Sequence, residues 1–343
     1  MSDYTRGIHF LIVSVCLTTP VLAGTPSVPG FSVETYAVFP TDVLPLDISF
    51  APSGVLFVSN DNNSGGGVTI YRVGVGGTPV EPYGPLIYDP DPVAFDADGS
   101  VASVPGSVFT GNITGKVFEI DPDQQSSVCA TGSPVSNPTD LVLDSQGRLL
   151  IADVGGVSRL TQCGTAPTQV FNLPVAAVSI DVDGQGRIFT TADDGRVRIH
   201  ASAGTLLTDS CVTGLSASFL AVGHGTCPWG TDLYVVNGGT RELLRVTVGP
   251  DAGCTQAVIG TDLDEGWGLA FGPDNALYVS GRASNVVWRI VPLDGDNDGV
   301  PDACHPVAVP ALSPGGMMAM GGLMLLFFGV VIARRQKALG IRQ

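Results

Sequence analysis

The 343-residue chain carries 32 acidic against 16 basic side chains, a net charge of −16, with 45 glycines and 25 prolines. An acidic balance of this size repels nucleic acid and anionic lipid, so neither is an expected ligand. No long stretch keeps a 3.6-residue apolar period, which excludes a helical protein and leaves many short strands joined by turns.

In chain order, Arg6 precedes an apolar stretch from Phe10 to Val21, and Val21-Leu22-Ala23 offers small-residue cleavage ahead of Gly24. This reads as a secretory signal peptide over 1–23. Its removal takes Cys16 and leaves Cys129, Cys163, Cys211, Cys227, Cys254 and Cys304, enough for three disulfides outside the cytoplasm. Closeness in sequence pairs Cys129 with Cys163 and Cys211 with Cys227. No C-x-x-C redox or zinc pattern occurs.

From residue 47 one pattern recurs six times: an apolar strand, a turn with Gly or Asn, a second strand, a polar loop and a third strand. The turns fall at Gly54, Gly99, Gly147, Gly186, about Gly230 and Asn275. A period of 40–50 residues made of antiparallel strands is the mark of propeller blades. One small sheet cannot bury both faces, whereas six around an axis cover one another. Phe31–Val38 alternates like a strand and is predicted to be the outer strand of the sixth blade, closing the ring. Phe50, Phe95, Leu143, Val182 and Phe271 share one repeat position and are expected between blades. The fifth repeat is worn, with Cys227-Pro228-Trp229 in place of the usual turn.

The repeats resemble those of the six-bladed NHL and SMP-30/gluconolactonase-like propellers over roughly 31–291. The carrying pieces are Pro138-Thr139-Asp140-Leu141-Val142-Leu143-Asp144 with Gly147-Arg148-Leu149-Leu150-Ile151-Ala152-Asp153, and Gly268-Leu269-Ala270-Phe271 with Ala276-Leu277-Tyr278-Val279. The resemblance implies an all-β six-bladed propeller, and in its lactonases one divalent metal held in the channel by a Glu, an Asn and an Asp from different blades. Here the equivalent inner-strand position is Asp47, Pro92, Asp140, Ser179 and Gly268, with Asn137 three residues before Asp140. Asp47 matches the family Glu in being acidic, Asp140 stands where the Asn would be, and Ser179 replaces the remaining acid. Asp47 and Asp140 are therefore the candidate channel metal ligands. No nucleophile elbow or assignable carboxylate pair accompanies them.

Beyond the blades, a linker at 292–308 contains Asp294-Gly295-Asp296-Asn297-Asp298-Gly299-Val300-Pro301-Asp302. Carboxylates at positions 1, 3, 5 and 9, with glycine at 6, resemble one thrombospondin type 3 calcium repeat. Asp294, Asp296, Asp298, the Val300 carbonyl and Asp302 are the expected ligands of a structural Ca²⁺. The segment 309–343 resembles the C-terminal sorting signals of bacterial surface proteins, with Val309-Pro310-Ala311-Leu312-Ser313, an uncharged run over 317–333 and Arg334, Arg335 and Lys337 behind it. As a helix the run would reach roughly 25 Å. It is expected to cross the inner membrane with the basic cluster cytoplasmic, leaving an envelope-associated ectodomain and a substrate for a sorting protease. On these readings the propeller is a non-enzymatic platform for a protein or glycan; the alternative is a metal-dependent lactonase-like hydrolase with its site in the channel.

Overall fold

The computed structural model describes residues 26–62, 66–216, 218–249, 253–263, 266–296, 298 and 300–305. The chain divides into two units, 1–303 and 304–343, and the first is the propeller. It opens with β1 (Phe31–Val38). Blade 1 is β2 (Pro45–Phe50), β3 (Leu56–Asn60), β4 (Val68–Val73) and β5 (Val80–Ile87). Blade 2 is β6 (Pro90–Asp96), β7 (Ser107–Asn112), β8 (Lys116–Ile120) and β9 (Ser126–Thr131). Blade 3 is β10 (Pro138–Leu143), β11 (Leu149–Asp153), β12 (Gly156–Leu160) and β13 (Thr168–Asn172). Blade 4 is β14 (Ala177–Val182), β15 (Ile188–Ala192), β16 (Val197–His200) and β17 (Leu206–Val212). Blade 5 is β18 (Ser218–Val222), β19 (Leu233–Asn237), β20 (Glu242–Val248) and β21 (Cys254–Gly260). Blade 6 is β22 (Gly266–Phe271), β23 (Leu277–Gly281) and β24 (Val286–Pro292), completed by β1.

The ring closes as the alternation over 31–38 predicts: β1 lies antiparallel to β24, from Phe31 opposite Pro292 to Val38 opposite Val286. The inner strands β2, β6, β10, β14, β18 and β22 pack in that order around the axis. All six expected turn residues adopt positive φ, from 61° at Asn275 to 88° at Gly54. Such a backbone favours glycine or asparagine over other residues, which is why the repeat is visible in the sequence.

Each seam between blades holds its own apolar core, six in all among the described residues. Phe50, Phe95, Leu143, Val182 and Phe271 each pack on one of them, as expected from their shared position. Hydroxyls on second strands staple blade to blade: Ser59 Oγ donates to the Asp91 carbonyl (2.5 Å), Thr191 Oγ1 to Ser218 O and Ser280 Oγ to Leu46 O. Gly268 suits its place because a Cβ there would meet Leu46 O at 2.3 Å.

The worn fifth repeat compensates with Trp229. Its ring is buried, stacks on Phe31 at 4.6 Å and meets Tyr234 and Phe271 edge-on, while Nε1 donates to Asn275 O (2.8 Å). Trp229→Ala is expected to cost about 3–5 kcal/mol, the usual range for emptying a buried aromatic site. Urea denaturation checks this; a loss below about 1 kcal/mol would contradict the role.

Cys129–Cys163 forms as predicted and ties blade 2 to the loop after β12 of blade 3. The pairing of Cys211 with Cys227 is corrected: Cys211 bonds Cys254, joining the outer strands β17 and β21 of adjacent blades, and Cys227 is disulfide-bonded elsewhere. Closeness in sequence misleads here, because residues about one repeat apart are the ones a propeller sets side by side.

The expected transmembrane helix is corrected as well. No helix among the described residues is long and apolar enough to cross a membrane. The run at 317–333, the rest of the 309–343 segment and the 1–23 leader all lie outside the described residues. The inner-membrane partner and the membrane-anchored location that depended on that helix are withdrawn with it.

Candidate active site at the channel mouth

The third residue of each inner strand in blades 1, 2, 3, 4 and 6 is the position singled out in the sequence. Asp47 and Asp140 both lie there, about 5% exposed, lining a central cavity of about 220 Å³. Proline and glycine fill the place in blades 2 and 6, and the charge of Asp140 acts on Asp47. Each carboxylate also reaches the next blade. Asp47 Oδ2 accepts from Val93 N (2.7 Å) and Oδ1 from Ile48 N (2.8 Å). Asp140 Oδ2 accepts from Ser179 Oγ (2.6 Å) and Ile180 N (2.8 Å), and Oδ1 from Leu141 N (2.7 Å). Asp181 repeats the device with Val222 N (2.7 Å). These acids sew neighbouring blades together at the channel wall.

Burial pushes both carboxyls up. For Asp47 the charge of Asp140 adds to burial, and for Asp140, raised to about 7, Asp181 adds while the donors from Ser179, Ile180 and Leu141 partly offset it. A carboxyl whose folded value exceeds its unfolded one stabilises fully below about pH 4 and loses that contribution as pH rises through about 7. His200 acts oppositely. It is stacked on Phe171 at 3.7 Å, and burial, then Arg198, lowers it to about 4. Its contribution is present above about pH 6.5 and lost as pH falls toward 4. The metal-free protein is therefore expected to melt lower at pH 8 than at pH 6.5, a window in which the folded His200 is neutral and only the last part of its opposing gain remains. A melting curve unchanged over that window, or an equal drop in Asp140→Asn, would contradict the assignment.

Above the pair, on the face where loops enter the inner strands, three further acids converge. Asp61 follows β3, whereas Asp89 and Asp91 flank the start of β6; each offers an oxygen within 4.8 Å of the others. Asp61 Oδ2 takes Arg282 Nε and Nη2, both at 2.7 Å, and the guanidinium stands over Trp267 at 5.5 Å. Asp91 Oδ1 is sealed from solvent without a hydrogen-bond partner. Burial, then the charges of Asp89 and Asp61, raise Asp91 to about 7 against the opposing pull of Arg282. Ser59 connects the layers, donating to the Asp91 carbonyl while accepting from Asp47 N (2.8 Å).

None of these three acids lies at the third inner-strand position to which the repeat draws attention, so the cluster is hard to find from the repeat alone. The available signal was Asp89-Pro90-Asp91-Pro92, paired acids held at a strand entrance by prolines. Asn137, at the position in blade 3 that Asp89 holds in blade 2, has its own buried Oδ1 without a partner. Its backbone N donates to Asp153 Oδ2 (2.8 Å), which also fixes Ser136.

In the linker, oxygens of Asp294, Asp296 and Asp298 also lie within 4.8 Å of one another. Asp302 Oδ1 accepts from Gly295 N (3.1 Å), and Val300 N donates to Asp298 Oδ1 (2.8 Å). Both clusters have donor sets able to hold a cation, and neither geometry specifies calcium.

No protein-family model matches the chain, and no curated protein matches it. Solved structures share its fold. A gluconolactonase from Xanthomonas campestris aligns with TM-score 0.59 at 13% identity over 77% of this chain and 90% of its own. A glucose dehydrogenase aligns with TM-score 0.57 at 14% identity over 77% and 100%. Virginiamycin B lyase from Staphylococcus aureus aligns with TM-score 0.55 at 13% identity over 77% and 100%. At these identities the likeness establishes a six-bladed propeller fold. The preference for a non-enzymatic platform is corrected: the solved propellers that share this fold include a gluconolactonase and a glucose dehydrogenase, and the described residues hold acid clusters fit for a metal.

Proposed function

We propose that the propeller is a metal-dependent hydrolase of lactone-like esters, working at the channel mouth. One observation carries the reading: Asp61, Asp89 and Asp91 converge there, with Asp91 Oδ1 buried and unpartnered. An orphaned buried carboxylate oxygen among like charges is costly, and a hard cation would satisfy it. Asp89 and Asp91 would hold the cation, with Asp61 fixed in place by Arg282. A divalent ion bound there supplies Lewis acidity to an ester carbonyl. The chain's own part is to orient the ligand carboxylates and to keep Asp47 and Asp140 beneath them as a second pair facing the cavity. Hydrolysis adds water to the carbonyl and breaks the ring C–O bond, and the proton from water ends on the released hydroxyl. The gluconolactonase among the structural neighbours supports lactones as the class to try first.

The linker cluster supports a separate, structural role: calcium held by Asp294, Asp296, Asp298, the Val300 carbonyl and Asp302. Its expected affinity is on the order of 10⁻⁴–10⁻³ M, as for extracellular modules. Lactone ring opening, followed by acid release with Mn²⁺, Zn²⁺ or Ca²⁺ present, tests the enzymatic reading. Turnover that EDTA removes and added metal restores supports it; no turnover with any ion across the panel overturns it.

A further inference from the structure

We infer that the seam between blades 6 and 1 carries a second binding site, for a small primary amine on an aromatic body. The site stands apart from the proposed hydrolase and does not depend on it. A cavity of about 610 Å³ opens there, within the range of roughly 300–1,000 Å³ usual for small-molecule pockets. Phe50 and residues 52–54 reach it from the end of β2, and Pro273 and Asp274 from the end of β22. Those ends lie away from the strand entrances where Asp89 and Asp91 stand, so the two sites open on opposite faces. Strand β1 contributes Glu34 and Tyr36, and the turn after β4 contributes Val75.

One wall is aromatic. The Tyr278 ring lies 4.6 Å from Phe50 and 4.9 Å from Tyr36, the latter edge-on. The turn carrying Val75 is pressed onto β1: no Cβ fits at Gly77 without striking Tyr36 O, and Tyr36 Oη donates to Gly74 O (3.4 Å). Val75 stands out from that turn, 66% exposed, over Gly54, where a Cβ would meet its Cγ2 at 3.5 Å. The charge is uneven. Arg289 reaches Asp274 Oδ2 through Nε (2.9 Å) and Nη2 (2.8 Å), and donates through Nη1 to Glu34 Oε1. Tyr278 Oη also donates to Asp274 Oδ2 (2.9 Å). Two carboxylates share one guanidinium, so the group keeps one net negative charge. Glu34 Oε2 has no partner among the described residues, on a side chain that is 50% exposed. A surface acid is no site by itself. Here the surplus carboxylate lines a formed cavity with aromatic faces, and both attract a cation. An anion would meet that surplus and the −16 of the whole chain. The aromatic wall takes the apolar body of the ligand, and Glu34 takes its ammonium group.

The test is calorimetry at low ionic strength with phenethylamine, its neutral counterpart 2-phenylethanol and the anion phenylacetate. Wild type is compared with Glu34→Gln, Val75→Lys, Val75→Glu and the mouth variant Asp89→Asn plus Asp91→Asn. The amine is expected to bind wild type at least about fivefold more tightly than the alcohol, and the anion not to bind. Glu34→Gln should lose about that factor. Val75→Lys, which sets a competing ammonium in the cavity, should abolish amine binding, and Val75→Glu should strengthen it. Both Val75 variants sit on an exposed turn, so the dependence on charge is read even where Glu34→Gln loosens the closing strand. The mouth variant should bind as wild type does, whether or not any lactone turns over. No amine binding, equal binding of the alcohol, or indifference to the charge at residue 75 overturns the inference, as does a loss confined to the mouth variant.

Discussion

Asp91→Asn is expected to abolish metal-dependent turnover, by on the order of 10²-fold or more, with little loss of stability. Outer-shell changes at metal sites already cost 10- to 100-fold, and Asp91 is placed as a direct ligand. Asparagine keeps the shape but removes the charge that a cation needs. Burial and the neighbouring carboxylates already raise Asp91 to about 7, so the folded metal-free protein tolerates a neutral group there. Activity and melting temperature should therefore separate: the variant melts close to wild type without metal, and the stabilisation that metal gives wild type disappears. Equal turnover in the variant and wild type would remove Asp91 from the site.

Asp96→Ala is expected to destabilise the fold by about 3–5 kcal/mol, through the loss of a buried carboxylate that satisfies several backbone donors at once. The carboxylate is buried and accepts from Gly99 N (3.1 Å), Ser100 N (3.2 Å), Val101 N (2.9 Å) and Ala102 N (2.9 Å), and from Ser100 Oγ (3.3 Å). The bound loop delivers Val101 and Ala102 into the seam between blades 2 and 3, where Val101 O receives Cys163 N. Burial alone would raise this carboxyl, but the donors from Ala102, Val101 and Ser100 outweigh it and hold it below the usual range. Its contribution is present above about pH 4 and is lost as pH falls. Urea denaturation at pH 7 should show the deficit, and the gap to wild type should narrow toward pH 3. A deficit under 1 kcal/mol at pH 7 would contradict the account.

Much of the fold is legible because its constraints are local. Gly54, Gly99, Gly147, Gly186 and Asn275 announce turns that need positive φ, and their spacing counts the blades. Phe31–Val38 shows its alternation, so its place on β24 follows from a ring with one strand missing. Trp229 is less legible: the sequence shows a damaged repeat, and only the packing shows an indole filling the seam. The Cys211–Cys254 bridge was hidden for a related reason, since its two ends become neighbours only when blades 4 and 5 stand side by side.

The site is legible in part. Asp47 and Asp140 could be placed on the channel wall from their repeat position, but their bonds to Val93 N and Ile180 N belong to the next blade and carry no sequence mark. The mouth cluster is assembled from a loop of blade 1, the entrance of blade 2 and an arginine of blade 6. Asp61 and Arg282 are more than two hundred residues apart, and no local pattern joins them. The linker acids are the reverse case, since Asp294, Asp296 and Asp298 converge through local turns that their spacing already implies.

The most direct measurement is lactone turnover in EDTA-treated protein titrated with Mn²⁺, for wild type, Asp89→Asn plus Asp91→Asn, and Asp296→Ala plus Asp298→Ala. The mouth-site account predicts that Mn²⁺ restores turnover in wild type and in the linker variant but not in the mouth variant. Restoration in the mouth variant, or turnover in wild type that is indifferent to EDTA, would contradict it.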